Sequence, residues 1–231
     1  MSNGSSGTTY SLVFQNNSIN TWTAAVYQQA PNTGTQDVMS LAWFAEAAAP
    51  TTQVVFTWEI DYSFVWSQTG TLVPGVLFAA SQTWATNPSG ANNQVTFTDE
   101  PPFTFTNQTA GPQQGTLYIN QDGTIPENTA AVGIAMSGAG TFVVQAEPNI
   151  LASFTPTPNY WITFGQYTQG QVMDIQEITN SAQIVFPPNV YSMTAILNAN
   201  NTWTVQTTEQ TNAALVSARR KNRRALWGAA K

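Results

Sequence analysis

The sequence contains no cysteine and no histidine, and its first 218 residues contain no lysine or arginine. These absences exclude Ser-His-Asp and Cys-His nucleophile systems. They also exclude a zinc site built from Cys and His ligands. Residues 1–218 offer no cationic side chain to hold a phosphate or an oxyanion. We therefore expect a protein without enzymatic activity and without a cofactor.

Charge is scarce and divided between two parts of the chain. Charged residues make up 8% of the sequence, against about 25% in an average soluble domain. All twelve acidic residues lie within residues 1–218, which gives that part a formal charge of −12. The six cationic residues follow it and give +6: Arg219, Arg220, Lys221, Arg223, Arg224 and Lys231. This separation is the strongest electrostatic signal in the sequence.

Long hydrophobic runs are also missing. No stretch of about 18 apolar residues indicates a membrane span, and the N-terminal sequence MSNGSSGTTY does not have the pattern of a signal peptide. We therefore expect a cytoplasmic protein, with export by a non-classical route left open. The length of 231 residues is enough for one large β domain with a substantial core.

The segment VFTWEIDYSFVW contains the clearest periodic pattern. From Val54 to Trp66 every second residue is apolar, and the alternate positions are mainly polar. This alternation predicts β structure with one buried face. The segment is longer than an ordinary strand, so we expect a bulge or a bend inside it where the chain passes to another sheet.

Many other short segments have strand character and are separated by turn-forming residues. They are Tyr10–Asn16, Thr21–Gln28, Met39–Phe44, Leu72–Ala79, Gln94–Thr98, Phe103–Asn107, Thr116–Asn120, Ala131–Met136, Thr141–Ala146, Tyr160–Gly165, Val172–Ile175, Gln183–Phe186, Ser192–Asn198 and Trp203–Thr207. We predict an all-β fold, an antiparallel β-sandwich or jelly-roll-like domain over residues 10–207. Residues 1–9 would form a flexible arm.

Residues 208–231 predict a short basic helix. Thr207 and Gln210 have the spacing of a capping box. At 100° per residue, one side of this helix carries apolar and small residues and the other side carries the arginines. The members of the first side are Leu215, Ala218, Asn222, Ala225 and Leu226.

Two sets of residues in the body are candidates for binding. Glu59 and Asp61 lie two positions apart, about 7 Å on one face of a strand, near the separation of glycosidase carboxylate pairs. A simpler explanation is that both are solvated acids that keep the strand from aggregating edge to edge. Trp22 and Trp84 are the tryptophans least committed to a core by the pattern, and with the abundant Asn and Gln they suggest a carbohydrate-binding surface.

The segment INQDGTIPEN contains the oxygen ligands Asn120, Asp122 and Glu127, but their spacing is not that of an EF-hand. An Asp-Gly turn explains this segment better, and we predict no metal site.

The basic tail allows three hypotheses. It could bind nucleic acid, although the acidic body would repel a polyanion. It could lie on an anionic membrane, although its apolar side is shallow and rich in alanine. It could instead dock on an acidic body, its own or that of another copy, through Arg219, Arg220, Lys221, Arg223, Arg224, Leu226 and Trp227. We favour this third hypothesis, a self-assembling structural protein, over a carbohydrate-binding module.

Four stretches resemble one family of bacterial proteins: VMSLAWF, FTWEIDYSFVW, TLVPGV and NYWITFGQYTQGQVMD. Together they make the sequence similar to the rhizosphere-induced RhiA family, over most of residues 8–206 and without the basic tail. The resemblance implies a soluble bacterial protein. It brings no catalytic residues that could be transferred to this sequence.

Overall fold

A computed structural model describes residues 7–29 and 35–228, with the side chains of 222–228 outside that description. Within these residues the chain forms 17 strands, one short 3-10 helix at Ile175–Glu177 and one α-helix, α1 (Thr208–Gly228). The strands in the first half are β1 (Tyr10–Asn16), β2 (Trp22–Gln28), β3 (Met39–Ser40), β4 (Phe44–Ala48), β5 (Gln53–Trp58), β6 (Tyr62–Ser67), β7 (Gln82–Thr86), β8 (Gln94–Thr98) and β9 (Thr104–Thr109). Those in the second half are β10 (Leu117–Gln121), β11 (Ala131–Met136), β12 (Ala139–Gln145), β13 (Ile150–Phe154), β14 (Tyr160–Gly165), β15 (Ser181–Ile184), β16 (Ser192–Leu197) and β17 (Trp203–Thr207). The predicted all-β class and the C-terminal helix are confirmed.

The strands form four sheets. Sheet 1 has the order β17-β16-β1-β5, sheet 2 β15-β14-β2-β4, sheet 3 β3-β12-β11-β6-β7 and sheet 4 β13-β10-β8-β9. Neighbouring strands are antiparallel except for β1 with β16 and β8 with β10. The β1–β16 pair joins the beginning of the chain to its end, since Ser11 lies opposite Ser192.

Two large hydrophobic cores hold the sheets in pairs. Core A lies between sheets 1 and 2 and contains Phe14, Trp58 and Ile162. Core B lies between sheets 3 and 4 and contains Phe97 and Phe142. Alternate residues of the strands point into these cores, which is why the period-two pattern is visible in the sequence.

The long alternating segment passes from one pair of sheets to the other, as predicted. Its first half is β5 in sheet 1, its second half is β6 in sheet 3, and the strands are separated by Glu59–Asp61. Trp58 therefore lies in core A and Trp66 in core B. A second crossing occurs between β3 and β4, where the fully buried Trp43 donates from Nε1 to the Met136 carbonyl at 2.8 Å. The chain also crosses between β2 and β3 and between β13 and β14, so four crossings connect the two pairs of sheets.

Two predicted strands are wrong. Residues 72–79 and 172–175 make only isolated bridges, Leu77 with Gln171 and Leu41 with Val172. Gly75 has a φ of 91°, and this left-handed backbone interrupts the first segment. The second segment is cut short by the 3-10 helix that begins at Ile175. The two segments still contact each other, because the Val172 N–H donates to the Val76 carbonyl at 2.8 Å.

Candidate functional site

Helix α1 is attached to the body through its first turn. The Thr207 N–H donates to Gln210 Oε1 at 3.1 Å and the Gln210 N–H donates to Thr207 Oγ1 at 3.2 Å. This reciprocal pair is a capping box, as the spacing predicted. Thr211 is buried and accepts a bond from Gln206 at 2.9 Å, and Thr208 accepts one from Ser192 at 2.8 Å. The start of α1 is therefore fixed to β16 and β17.

Beyond its first turn α1 projects into solvent. Every residue from 212 to 221 is exposed, including Leu215 at 48% and Val216 at 47%. The cationic side chains of Arg219, Arg220 and Lys221 are exposed too. The side chains of Arg223, Arg224, Leu226 and Trp227 and the whole of Lys231 lie outside the described residues. The helix thus presents its basic segment away from the body that anchors it.

Five of the twelve acidic residues occupy loops at one end of sheet 4. Asp99 and Glu100 follow β8, Asp122 and Glu127 follow β10, and Glu147 precedes β13. Strands β8 and β10 are parallel, and β13 is antiparallel to β10, so all of these loops emerge at the same end. We call these five residues the acidic end. It belongs to the sheet pair around core B, whereas α1 is attached to the pair around core A.

Asp122 is held by its own turn. Its Oδ1 accepts from the Thr124 N–H at 2.9 Å and from the Thr124 hydroxyl. Partial burial alone would raise the pKa of Asp122, but the hydrogen bonds from Thr124 and Thr98 outweigh it and lower the pKa below its ordinary value of 3.8. Hydrogen bonds within the Asp-Gly turn therefore explain the position of the Asp122 carboxylate. In the described parts of the chain, acidic side chains form no group of three that could hold a metal ion.

Glu59 and Asp61 flank the bend between β5 and β6 and do not share the face of one strand. The Ser137 N–H donates to Asp61 Oδ1 at 2.8 Å, and the Glu59 N–H donates to Ser137 Oγ at 3.2 Å. The Glu59 carboxylate also accepts from Thr9 at 3.2 Å, so the final residues of the predicted arm contact the body. Residues 1–6 of that arm lie outside the described residues. The Asp61 carboxylate and the Glu59 backbone N–H therefore fasten the bend to the turn at Ser137.

Trp22 and Trp84 lie on different sheets. Trp84 is on β7 in sheet 3, where it is half-buried against core B with its ring 6.0 Å from Phe105. Trp22 begins β2 in sheet 2 and is 43% exposed. It lines a groove of about 370 Å³ together with residues that the sequence pattern did not single out, namely Gln166, Tyr167 and Thr168. The structure thus separates the two predicted tryptophans and gives Trp22 new neighbours.

Three tyrosines inside the fold have raised pKa values. Burial raises the pKa of Tyr160 to about 12, against an opposing contribution from Trp58. Burial raises the pKa of Tyr62 further, with Tyr160 adding to the effect, and it raises the pKa of Tyr27 despite a hydrogen bond with Ser181. Raised values keep these phenols neutral at physiological pH.

No helix in the described part of the chain is long and apolar enough to cross a membrane.

Comparison with known proteins gives one family. The family model for RhiA matches residues 7–208. Protein RhiA of Rhizobium leguminosarum bv. viciae is 43% identical over 203 residues, which cover 86% of this chain and 87% of that protein. No solved structure gives a significant match. The matched region ends where α1 begins, so the basic helix lies almost wholly beyond it. This chain belongs to the RhiA family.

Proposed function

We propose that this chain is a non-catalytic structural protein that assembles with copies of itself, with α1 of one subunit docking on the acidic body of another. One observation carries the proposal: the first three cationic residues of the chain, Arg219, Arg220 and Lys221, are exposed on a helix that leaves its own body after the first turn. A helix that is exposed all round over residues 212–221 has no packed partner among the described residues of its own subunit. Such a helix is more stable when a second surface covers it.

The geometry favours a partner subunit over the helix's own body. Ten residues separate Thr211, the last buried position of α1, from Lys221. At a rise of about 1.5 Å per residue the charged segment lies about 15 Å beyond that position. A continuous helix cannot turn back on its own sheets without a break in its backbone hydrogen bonds. Contact between α1 and the next subunit needs no such break.

The charge distribution favours attraction between subunits and gives their contact an orientation. Two bodies of formal charge −12 repel each other, and a cationic helix between them offsets that repulsion. The acidic end offers five carboxylates on the sheet pair around core B, whereas α1 is attached to the pair around core A. A contact from α1 to the acidic end of the next subunit is heterologous. Repetition of such a contact forms a ring if it closes and a filament if it does not.

Sedimentation velocity at several protein concentrations tests this proposal. In about 20 mM salt the wild-type protein should form species larger than the monomer, and in about 500 mM salt these should dissociate because salt screens exposed charge pairs. The variant Arg219→Glu/Arg220→Glu/Lys221→Glu should remain monomeric in both buffers. Ser217→Ala changes an exposed position of the same helix without altering charge and should assemble as the wild type does. A wild-type protein that stays monomeric at low salt and high concentration would refute the proposal.

A further inference from the structure

We propose that the surface beside Trp22 is a binding site for a neutral oligosaccharide, independent of the assembly through α1. The site consists of two adjoining grooves that share Thr21 and Ala47. The first, of about 370 Å³, runs past Trp22 and Tyr167. The second, of about 630 Å³, lies between β4 and β5, the edge strands of sheets 2 and 1. Both volumes fall in the range of ligand sites in proteins.

Two aromatic residues, Trp22 and Tyr167, line the first groove, and Trp22 is the one with a largely exposed ring. Trp22 packs against Phe164 with the ring centroids 5.8 Å apart, and 43% of its surface remains exposed. Tyr167 lies close over the backbone at Gly165, where an added Cβ would be 2.9 Å from the tyrosine ring. The absence of a side chain at Gly165 therefore lets the Tyr167 ring reach its place. Tyr167 is half-buried against the small core around Tyr27, so it shapes the groove. The exposed ring of Trp22 can cover the apolar face of a sugar ring.

The polar groups of the first groove suit sugar hydroxyls. Thr21, Thr23, Gln166 and Thr168 line it. Hydroxyl and amide groups both donate and accept hydrogen bonds, and so do the hydroxyls of a sugar. No charged residue is among the lining residues of this groove. The match is therefore to a neutral polyhydroxylated ligand.

The loop that carries these groups is held in place before any ligand binds. The Thr168 N–H donates to Gln171 Oε1 at 3.0 Å, and the Gln171 N–H donates back to the Thr168 carbonyl at 3.0 Å. The Gly170 N–H donates to the Ala42 carbonyl at 2.8 Å, which fastens the loop to the body. A loop ordered in advance lowers the entropic cost of binding.

The second groove indicates a ligand with more than one ring. It continues from Thr21 and Ala47 toward Gln53 and Val55 and adds the exposed carboxylate of Glu46. A chain of sugars could follow both grooves, with one ring at Trp22 and the next along the strand edges. Glu46 and the net negative body disfavour an acidic polysaccharide.

Isothermal titration calorimetry with cellohexaose, laminarihexaose, maltohexaose and xylohexaose tests the site. At least one of these neutral hexasaccharides should bind the full-length protein, and the indole N–H resonance of Trp22 should shift on binding. Trp22→Ala and Tyr167→Ala should each weaken binding about tenfold or more. Trp22→Phe keeps an aromatic ring and should weaken it less. Trp84→Phe changes a tryptophan on a different sheet and should leave the affinity unchanged.

The salt dependence separates this site from the assembly. Binding of a neutral sugar should be the same in about 20 mM and about 500 mM salt, and it should persist in the Arg219→Glu/Arg220→Glu/Lys221→Glu variant. The proposal is overturned if none of the four sugars binds. It is equally overturned if the bound sugar retains its affinity in a folded Trp22→Ala protein whose thermal melting resembles the wild type.

Discussion

Replacing Thr207 by alanine should loosen α1 and leave the β-sheets intact. The change removes the Oγ1 atom that accepts from the Gln210 N–H at 3.2 Å and so leaves one N–H of the first turn without its partner. Loss of a threonine N-cap costs about 1 kcal/mol. Since 1.4 kcal/mol corresponds to a factor of ten, the opening equilibrium of the helix should shift by about fivefold. Gln210→Ala removes the side-chain oxygen that accepts from the Thr207 N–H. The double variant Thr207→Ala/Gln210→Ala should therefore shift the opening equilibrium of the helix further.

Amide hydrogen exchange, followed by mass spectrometry or NMR, measures the opening equilibrium of α1 directly. Amides of residues 212–221 should exchange about fivefold faster in Thr207→Ala, because beyond the first turn no tertiary contact of the described chain supports the helix. Amides of β1 and β11, which are inside their sheets, should exchange at the wild-type rate. Thr57→Ala, an exposed position on β5, is the matched control and should leave α1 unchanged. Unaltered exchange across 212–221 in Thr207→Ala would show that something other than the capping box holds the helix.

Two further predictions concern the stability of the body. Gly133→Ala places a Cβ 2.0 Å from the Phe142 carbonyl oxygen in the middle of sheet 3, and denaturant unfolding should show a loss of about 3 kcal/mol; a loss below 1 kcal/mol would mean that β11 and β12 separate easily. Thr124→Val removes a hydroxyl that lowers the pKa of Asp122. Because the pKa of Asp122 is lowered in the folded protein, this carboxylate stabilises the fold at pH values above the ordinary carboxyl pKa. The contribution disappears as the pH falls through the lowered pKa. The stability deficit of Thr124→Val in urea should therefore be largest near neutral pH and shrink in acid, whereas a deficit that grows in acid would contradict the sign.

Local patterns predicted the strands well where alternation and turns coincide. The bounds of β1, β8, β11, β14 and β17 agree with the sequence prediction, since each strand is a short run of strand-forming residues between clear turns. The bend at Glu59–Asp61 was also predictable, because one strand of that length would exceed an ordinary sheet. By contrast, β7 and β13 were missed. Their sequences, QTWAT and ILASF, do not alternate apolar and polar residues. Most of β4 was missed too, because the predicted strand Met39–Phe44 is divided between β3 and β4.

Pairing and surface grooves depend on contacts between distant residues, so local patterns could not supply them. Strand β1 pairs with β16, which places Ser11 opposite Ser192 from the far end of the chain. The local pattern of neither segment indicates that it pairs with the other. The capping box of α1 needed only residues 207 and 210, and the sequence predicted it. The groove at Trp22 needed Tyr167 from the loop after β14, and loops carry no periodic signal.

If α1 docks on the acidic body of another subunit, the amine of its Lys221 lies beside carboxylates of that subunit. The chain has only two lysines, Lys221 and Lys231, both in its basic segment. A carbodiimide, which joins a lysine amine to a carboxylate in direct contact, therefore reports where that segment docks. Isotopically heavy and light subunits should be mixed at low salt, cross-linked and analysed by mass spectrometry. The account predicts mixed heavy–light products that join Lys221 to residues of the acidic end, such as Asp122 or Glu147. Products that join Lys221 only to carboxylates of the same subunit would contradict it.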